Sequence, residues 1–161
     1  MKDKKKNSNN SISYSGVVTV KLEKNGKPVR VSKGHNSGQL PLFTFLAESL
    51  SGNFNIDFAP RYIRVFDEHG EQVVDSVAII DSESISNVDT ATAKLTFIIQ
   101  GNLFTSGKVG KTLALYSRNG INSDSMATYD FEDGQELSNI SDDTNVIIIW
   151  ELTVGNQLTN N

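Results

Sequence analysis

QLPLFTFLAESLSG, residues 39 to 52, carries apolar residues at helical spacing in a chain whose other apolar segments alternate as strands do. Pro41 suits a first helical turn, and Gly52 stands where a left-handed carboxyl-terminal cap is wanted. The spacing predicts a helix from Leu40 to Ser51. At 100° per residue, Phe45, Leu42, Leu46, Leu50, Phe43 and Ala47 spread over roughly 200°, leaving mainly Thr44 and Glu48 for water. A helix lying on one sheet needs about half that arc, so a second cover is expected, either loops of the same chain or a neighbouring subunit.

Upstream, Val17 to Glu23 alternates, Asn25-Gly26 supplies positive φ, and Pro28 to Lys33 is extended again, which predicts a hairpin. Gly34 to Gly38, GHNSG, breaks the extended pattern before the helix. Downstream of Pro60, strand candidates are separated by turn chemistry: Arg61 to Phe66, Gln72 to Ile80, Thr92 to Gln100, Lys111 to Arg118, Ser125 to Phe131 and Asn145 to Val154. The polar run DSESISNVD, residues 81 to 89, is expected to be a connection. Both faces of the last strand are apolar, with Val146, Ile148, Trp150, Leu152 and Val154 on one side and Ile147 and Ile149 on the other. That predicts a central strand or one covered by the helix. The expected fold is mainly β, an antiparallel β-sandwich or small barrel with one α-helix inserted after an amino-terminal hairpin.

At 161 residues the chain can bury one core, and one domain over residues 14 to 156 is expected. It is preceded by a basic and polar arm, residues 1 to 13, and followed by a polar tail, residues 157 to 161. Formal net charge is -4, from 15 basic and 19 acidic residues, so the surface has no broad positive field for nucleic acid. The exception is the arm, where Lys2, Lys4, Lys5 and Lys6 surround a single Asp3 and could touch a phosphate backbone. No apolar run follows those lysines, so neither a secretory signal nor a membrane anchor is expected, and synthesis in a cytoplasm is. The absence of cysteine removes disulfides, thiolate nucleophiles and cysteine-ligated metals.

Motifs that suggest chemistry fall short in identifiable places. Thr105 to Thr112, TSGKVGKT, ends as a phosphate-cradling loop does, but Thr105 replaces the first glycine and Leu113 to Tyr116 alternates like a strand. In GHNSG the nucleophile position is Asn36, not serine, and nothing supplies an acid to orient His35. His35 is instead expected to hydrogen-bond the local backbone or cap the helix. Asp124, Asp130, Glu132, Asp133, Asp142 and Asp143 lack EF-hand spacing and fit a solvated acidic turn. Tyr14, Tyr62, Tyr116, Tyr129 and Trp150 could include a sugar-stacking platform, although Tyr129 and Trp150 lie in alternating apolar strands and belong to an expected core. No catalytic, cofactor or metal residues are assigned.

Taken in order, Gly16-Val-Val-Thr-Val20, the Asn25-Gly26 hairpin, Lys33-Gly-His-Asn36, Leu42-Phe-Thr-Phe-Leu46 through Gly52, Pro60-Arg-Tyr-Ile63 and Ile148-Ile-Trp-Glu-Leu152 form a pattern. It resembles small virion structural proteins of tailed bacteriophages, those of the head, the head–tail connection or the tail, and spans residues 15 to 156. The resemblance implies a non-enzymatic assembly protein of the virion, made in the host cytoplasm. Its implied partners are further copies of itself and portal, capsid or tail proteins, with no membrane. Assembly contacts are expected at Lys2, Lys4, Lys5 and Lys6, at His35 and Asn36, and at Phe43 and Phe45. The competing expectation is a stand-alone carbohydrate- or receptor-binding β-sandwich of a fibre or adhesin.

Overall fold

The computed structural model describes residues 11–118 and 124–157. In chain order these form β1 (Ser11–Lys24), β2 (Lys27–His35), β3 (Ser37–Gly38), α1 (Leu40–Leu50), β4 (Pro60–Phe66), β5 (Gln72–Ala78) and β6 (Asp81–Ser86). They continue with β7 (Thr90–Gln100), β8 (Thr112–Ser117), β9 (Ala127–Asp130) and β10 (Thr144–Gln157). Two antiparallel five-stranded sheets result, ordered β2-β1-β10-β7-β6 and β3-β9-β8-β4-β5. The architecture is a β-sandwich with, among the described residues, a single α-helix inserted after the first hairpin, as the spacing of apolar residues predicts.

Period-two patterning explains the core. Val18 and Val20 of β1, Phe97 and Ile99 of β7, and Val146, Ile148 and Trp150 of β10 point inward from the first sheet and are buried. Ile63, Val65, Leu113, Leu115, Ala127 and Tyr129 meet them from the second. β10 is the middle strand of its sheet, which accounts for its two apolar faces, since Ile147 and Ile149 are half-buried among neighbouring strands on the outer side. The hairpin turn is as expected, with Asn25 and Gly26 at φ 51° and 72°, the positive pair that matches strand twist.

Three boundaries move. Ser11, Ile12 and Ser13, expected in the arm, continue β1 by pairing with Gln157, Asn156 and Gly155. The carboxyl-terminal strand accordingly runs to Gln157. Residues 81 to 86 are not a connection but β6, paired in unbroken register with β7 from Asp81↔Thr96 to Ser86↔Ala91. GHNSG is not an irregular break either: Gly34 and His35 end β2, Ser37 and Gly38 form β3 against β9, and Asn36 is where the chain changes sheets.

Helix α1 begins with Pro41 in its first turn and stops before Gly52, at φ +85°. The Ser51 hydroxyl donates to the Glu48 carbonyl at 2.8 Å, which satisfies one of the last turn's free acceptors. Gln39 N–H donates to Met126 O at 2.8 Å and ties the helix start to the residue before β9.

Close backbone approach sets a further constraint. A Cβ on Gly101 would fall on the Ser141 carbonyl oxygen and within 2.9 Å of the Thr144 carbonyl, where no side chain can rotate away. Gly101→Ala is expected to cost about 1–3 kcal/mol in urea unfolding, the range for forced overpacking.

Candidate assembly surface

One end of the sandwich is built differently from the rest. The first sheet runs on past Leu95 and Trp150, and there α1 instead of the second sheet lies across its inner face, covering it only in part. Ala91 and Ala93, which share a side of β7 with buried Phe97 and Ile99, are exposed at this end. Leu42 is buried in the core, while Phe45 and Leu46 pack against it from the helix. Phe43 touches Tyr14 of β1 edge-on, with ring centroids 5.5 Å apart.

The helix leaves space on both sides. On one side lies a cleft of about 570 Å³ bounded by Leu46, Ile56, Ala93 and Leu152, with Ser82 and Ser84 of β6 along one wall. Its charged lining residues are Arg61 and Arg118. On the other side a groove of about 710 Å³ runs between Phe43 and Ala47 and the β6–β7 turn at Val88. Tyr14, Leu46, Ala91 and Val154 border both, so α1 lies as a bar across the end of the sheet.

The broad apolar arc of α1 is therefore covered in part. Leu42, Phe45 and Leu46 face the sandwich, whereas Phe43 and Ala47 are exposed, and Glu48, expected in water, is half-buried. The chain from the helix into β4 adds to the uncovered area. Leu40, Phe43, Phe54, Ile56 and Phe58 are between 43% and 77% exposed.

The sheet change at Asn36 holds this end together. Asn36 N–H donates to Gly16 O at 3.1 Å, and the Tyr14 hydroxyl donates to Asn36 Oδ1 at 2.6 Å. Gly16 is needed because any Cβ there would collide with the Asn36 amide. At Gly34 a Cβ would come within 2.7 Å of the Tyr129 ring. Burial pushes the Tyr14 phenol up to about 12.

The residues expected at contacts divide accordingly. Phe43 and His35 are exposed, and since Gln39 occupies the helix N-cap position, His35 does not cap the helix. Asn36 is committed to the sheet change, and Phe45 packs inward and against Phe54 at 6.0 Å. Lys2, Lys4, Lys5 and Lys6 lie outside the described residues. Phe54, Ile56 and Phe58 were missed by sequence reasoning because they sit in the short connection between α1 and β4, outside every element that the sequence predicts. Three apolar residues at every second position, flanked by polar ones, were the available signal.

Other motifs have structural roles. Thr112 opens β8 and not a helix, and both lysines of TSGKVGKT are paired: Lys108 Nζ lies 2.5 Å from Glu71 and 3.7 Å from Asp67, and Lys111 Nζ lies 2.5 Å from Glu136. Asp130 accepts a hydrogen bond from Thr112 at 2.6 Å, while Asp143 pairs with Lys24 at 3.1 Å. Among the described residues no cluster of three or more His, Asp or Glu is arranged to hold a metal ion. Trp150, Tyr129 and Tyr116 are buried, leaving Tyr14 and Tyr62, each half-buried, from the candidate sugar platform. Among the described residues no helix is long and apolar enough to cross a membrane.

This is an antiparallel β-sandwich whose distinguishing feature is a helix-capped, partly uncovered end. The chain matches no protein-family model, no curated protein and no solved structure.

Tyr14 gives a pH signature. Its pKa is raised above the unfolded value of 10.0, so its contribution to stability is complete below pH 10 and is lost as pH rises toward about 12. Burial raises the Tyr129 phenol as well, so the readout is the difference between wild type and Tyr14→Phe, which is expected to lack a phenol that ionises at about 12 in ultraviolet titration. The same substitution should cost about 1 kcal/mol by loss of the bond to Asn36.

Proposed function

We propose that this chain is a non-enzymatic structural subunit that assembles in multiple copies through the α1 end of its sandwich. The setting that best suits it is the virion of a tailed bacteriophage, with head, connector or tail proteins as its other neighbours. One observation carries the proposal: five large apolar side chains, from Leu40 to Phe58, stand exposed on the helix and the connection that follows it, with Ile56 and Phe43 each lining one of the two grooves. Large apolar side chains left exposed together on one segment are the mark of an interface, since water imposes a cost on apolar surface of about 25 cal/mol per Å². The pattern Gly16 to Val20, Lys33 to Asn36 and Pro60 to Ile63 supports the virion setting by its resemblance to such subunits.

The paired state of Lys108, Lys111, Asp130 and Asp143 is in keeping with a scaffold, because these groups link strands and loops instead of converging on a shared cleft. Burial of Trp150, Tyr129 and Tyr116 weighs against a glycan-stacking module.

Sedimentation equilibrium over a concentration series tests the proposal. The wild-type chain is expected to self-associate, and Phe43→Glu to weaken association by about thirtyfold, as loss of ~2 kcal/mol at an aromatic contact would. A wild-type chain that stays monomeric and binds glycans on an array would overturn the proposal in favour of the receptor-binding alternative.

A further inference from the structure

The two sheets have four edge strands, and three of them are protected against pairing. β2 carries Lys27, Pro28 and Lys33 and is bulged between Leu22 and Glu23 of its partner strand. β3 has only two residues. β5 breaks register with β4 twice, and its Val73 carbonyl is taken by both the N–H and the hydroxyl of Thr105 at 3.0 Å. β6 has none of these devices. Its six residues, DSESIS, pair with β7 without a shift, contain no lysine, proline or glycine, and are all exposed. Ile80 at one end, Ile85 within it and Val88 beyond it are exposed as well.

The side chains of β6 define what can pair with it. Ser82 and Ser84 face the cleft under α1, so Asp81, Glu83 and Ile85 occupy the outer face. Glu83 lies 3.6 Å from Lys94. Two copies of β6 joined about a two-fold axis would bring four carboxylates onto one surface, a repulsive arrangement. The complementary strand is one with basic side chains at alternate positions.

This chain contains such a segment. In Met1-Lys-Asp-Lys-Lys-Lys6, residues Lys2, Lys4 and Lys6 fall on one side of an extended backbone, and ten residues precede Ser11, where β1 begins. Ten extended residues span roughly 33 Å, against about 20 Å for β6. Within one copy the segment would have to cross the ends of β10 and β7, and the direction of β1 would make it run parallel to β6 in an otherwise antiparallel sheet. A second copy is free of both constraints.

Resting on the multi-copy reading above, we infer that the open edge of β6 receives the basic segment Lys2–Lys6 of a second copy as an added antiparallel strand. Lys2, Lys4 and Lys6 then face Asp81 and Glu83. Main-chain hydrogen bonds supply affinity, and the charge alternation supplies register and partner choice. The contact joins different surfaces on the two copies, so reciprocal exchange closes a pair and onward repetition yields a ring or a filament.

The experiment is charge reversal in the full chain, read by sedimentation equilibrium and by hydrogen exchange at β6. Lys2→Glu with Lys4→Glu and Lys6→Glu, or Asp81→Lys with Glu83→Lys, should each weaken association by about tenfold or more and speed β6 amide exchange. All five changes together should restore both. Association that persists unchanged in either reversed set, yet is weakened by Phe43→Glu, overturns this inference and leaves the assembly proposal standing. A wild-type monomer at every concentration overturns both. A monomer whose β6 amides are protected until the lysines are reversed overturns the second-copy contact, because the segment then pairs within its own chain.

Discussion

The hydrogen bond from the Tyr14 hydroxyl to Asn36 Oδ1, 2.6 Å long, secures the single residue that joins β2 of the first sheet to β3 of the second. Three consequences follow from that crossing. β2 ends on one sheet and β3 begins on the other, α1 is delivered to the end of the first sheet, and Tyr14 itself becomes the floor against which Phe43 lies. Gly16 and Gly34 are the steric conditions for it, since side chains there would occupy the space of Asn36 and Tyr129. A stabilising contact and an uncovered apolar end therefore share one origin.

Much of the architecture was legible because it rests on residues that face a core. Val18 and Val20, Phe97 and Ile99, and Val146 to Trp150 alternate in the sequence because they alternate in the sheet. The helix was readable for the same reason, from Pro41, Gly52 and its apolar spacing. β6 was not, because its inner side chains, Ser82 and Ser84, line an open cleft and its outer ones are exposed, so no apolar period marks it. Its strand character comes from the backbone of β7. Ser11 to Ser13 are strand for a similar reason, through pairing with Gly155 to Gln157.

The candidate surface was legible only in part. Excess apolar area on α1 pointed to a second cover, and Phe43 and Ala47 are indeed left exposed by the fold. Which residues surround the gap depends on tertiary placement: the overhang of the first sheet, the turn at Val88 and the connection carrying Phe54, Ile56 and Phe58 come from distant parts of the chain. Asn36 shows the opposite failure. It was expected at an assembly contact, whereas its side chain is spent on holding the sheet change.

The central claim is that the α1 end is covered by other subunits when the protein does its work. Hydroxyl-radical footprinting of Phe43, Phe54 and Phe58 as concentration is raised tests it most directly, because oxidation reports side-chain access residue by residue. Their oxidation should fall together as association proceeds, while that of exposed Leu103, on another part of the fold, stays constant. Association with the three phenylalanines as reactive as in the monomer would contradict the account.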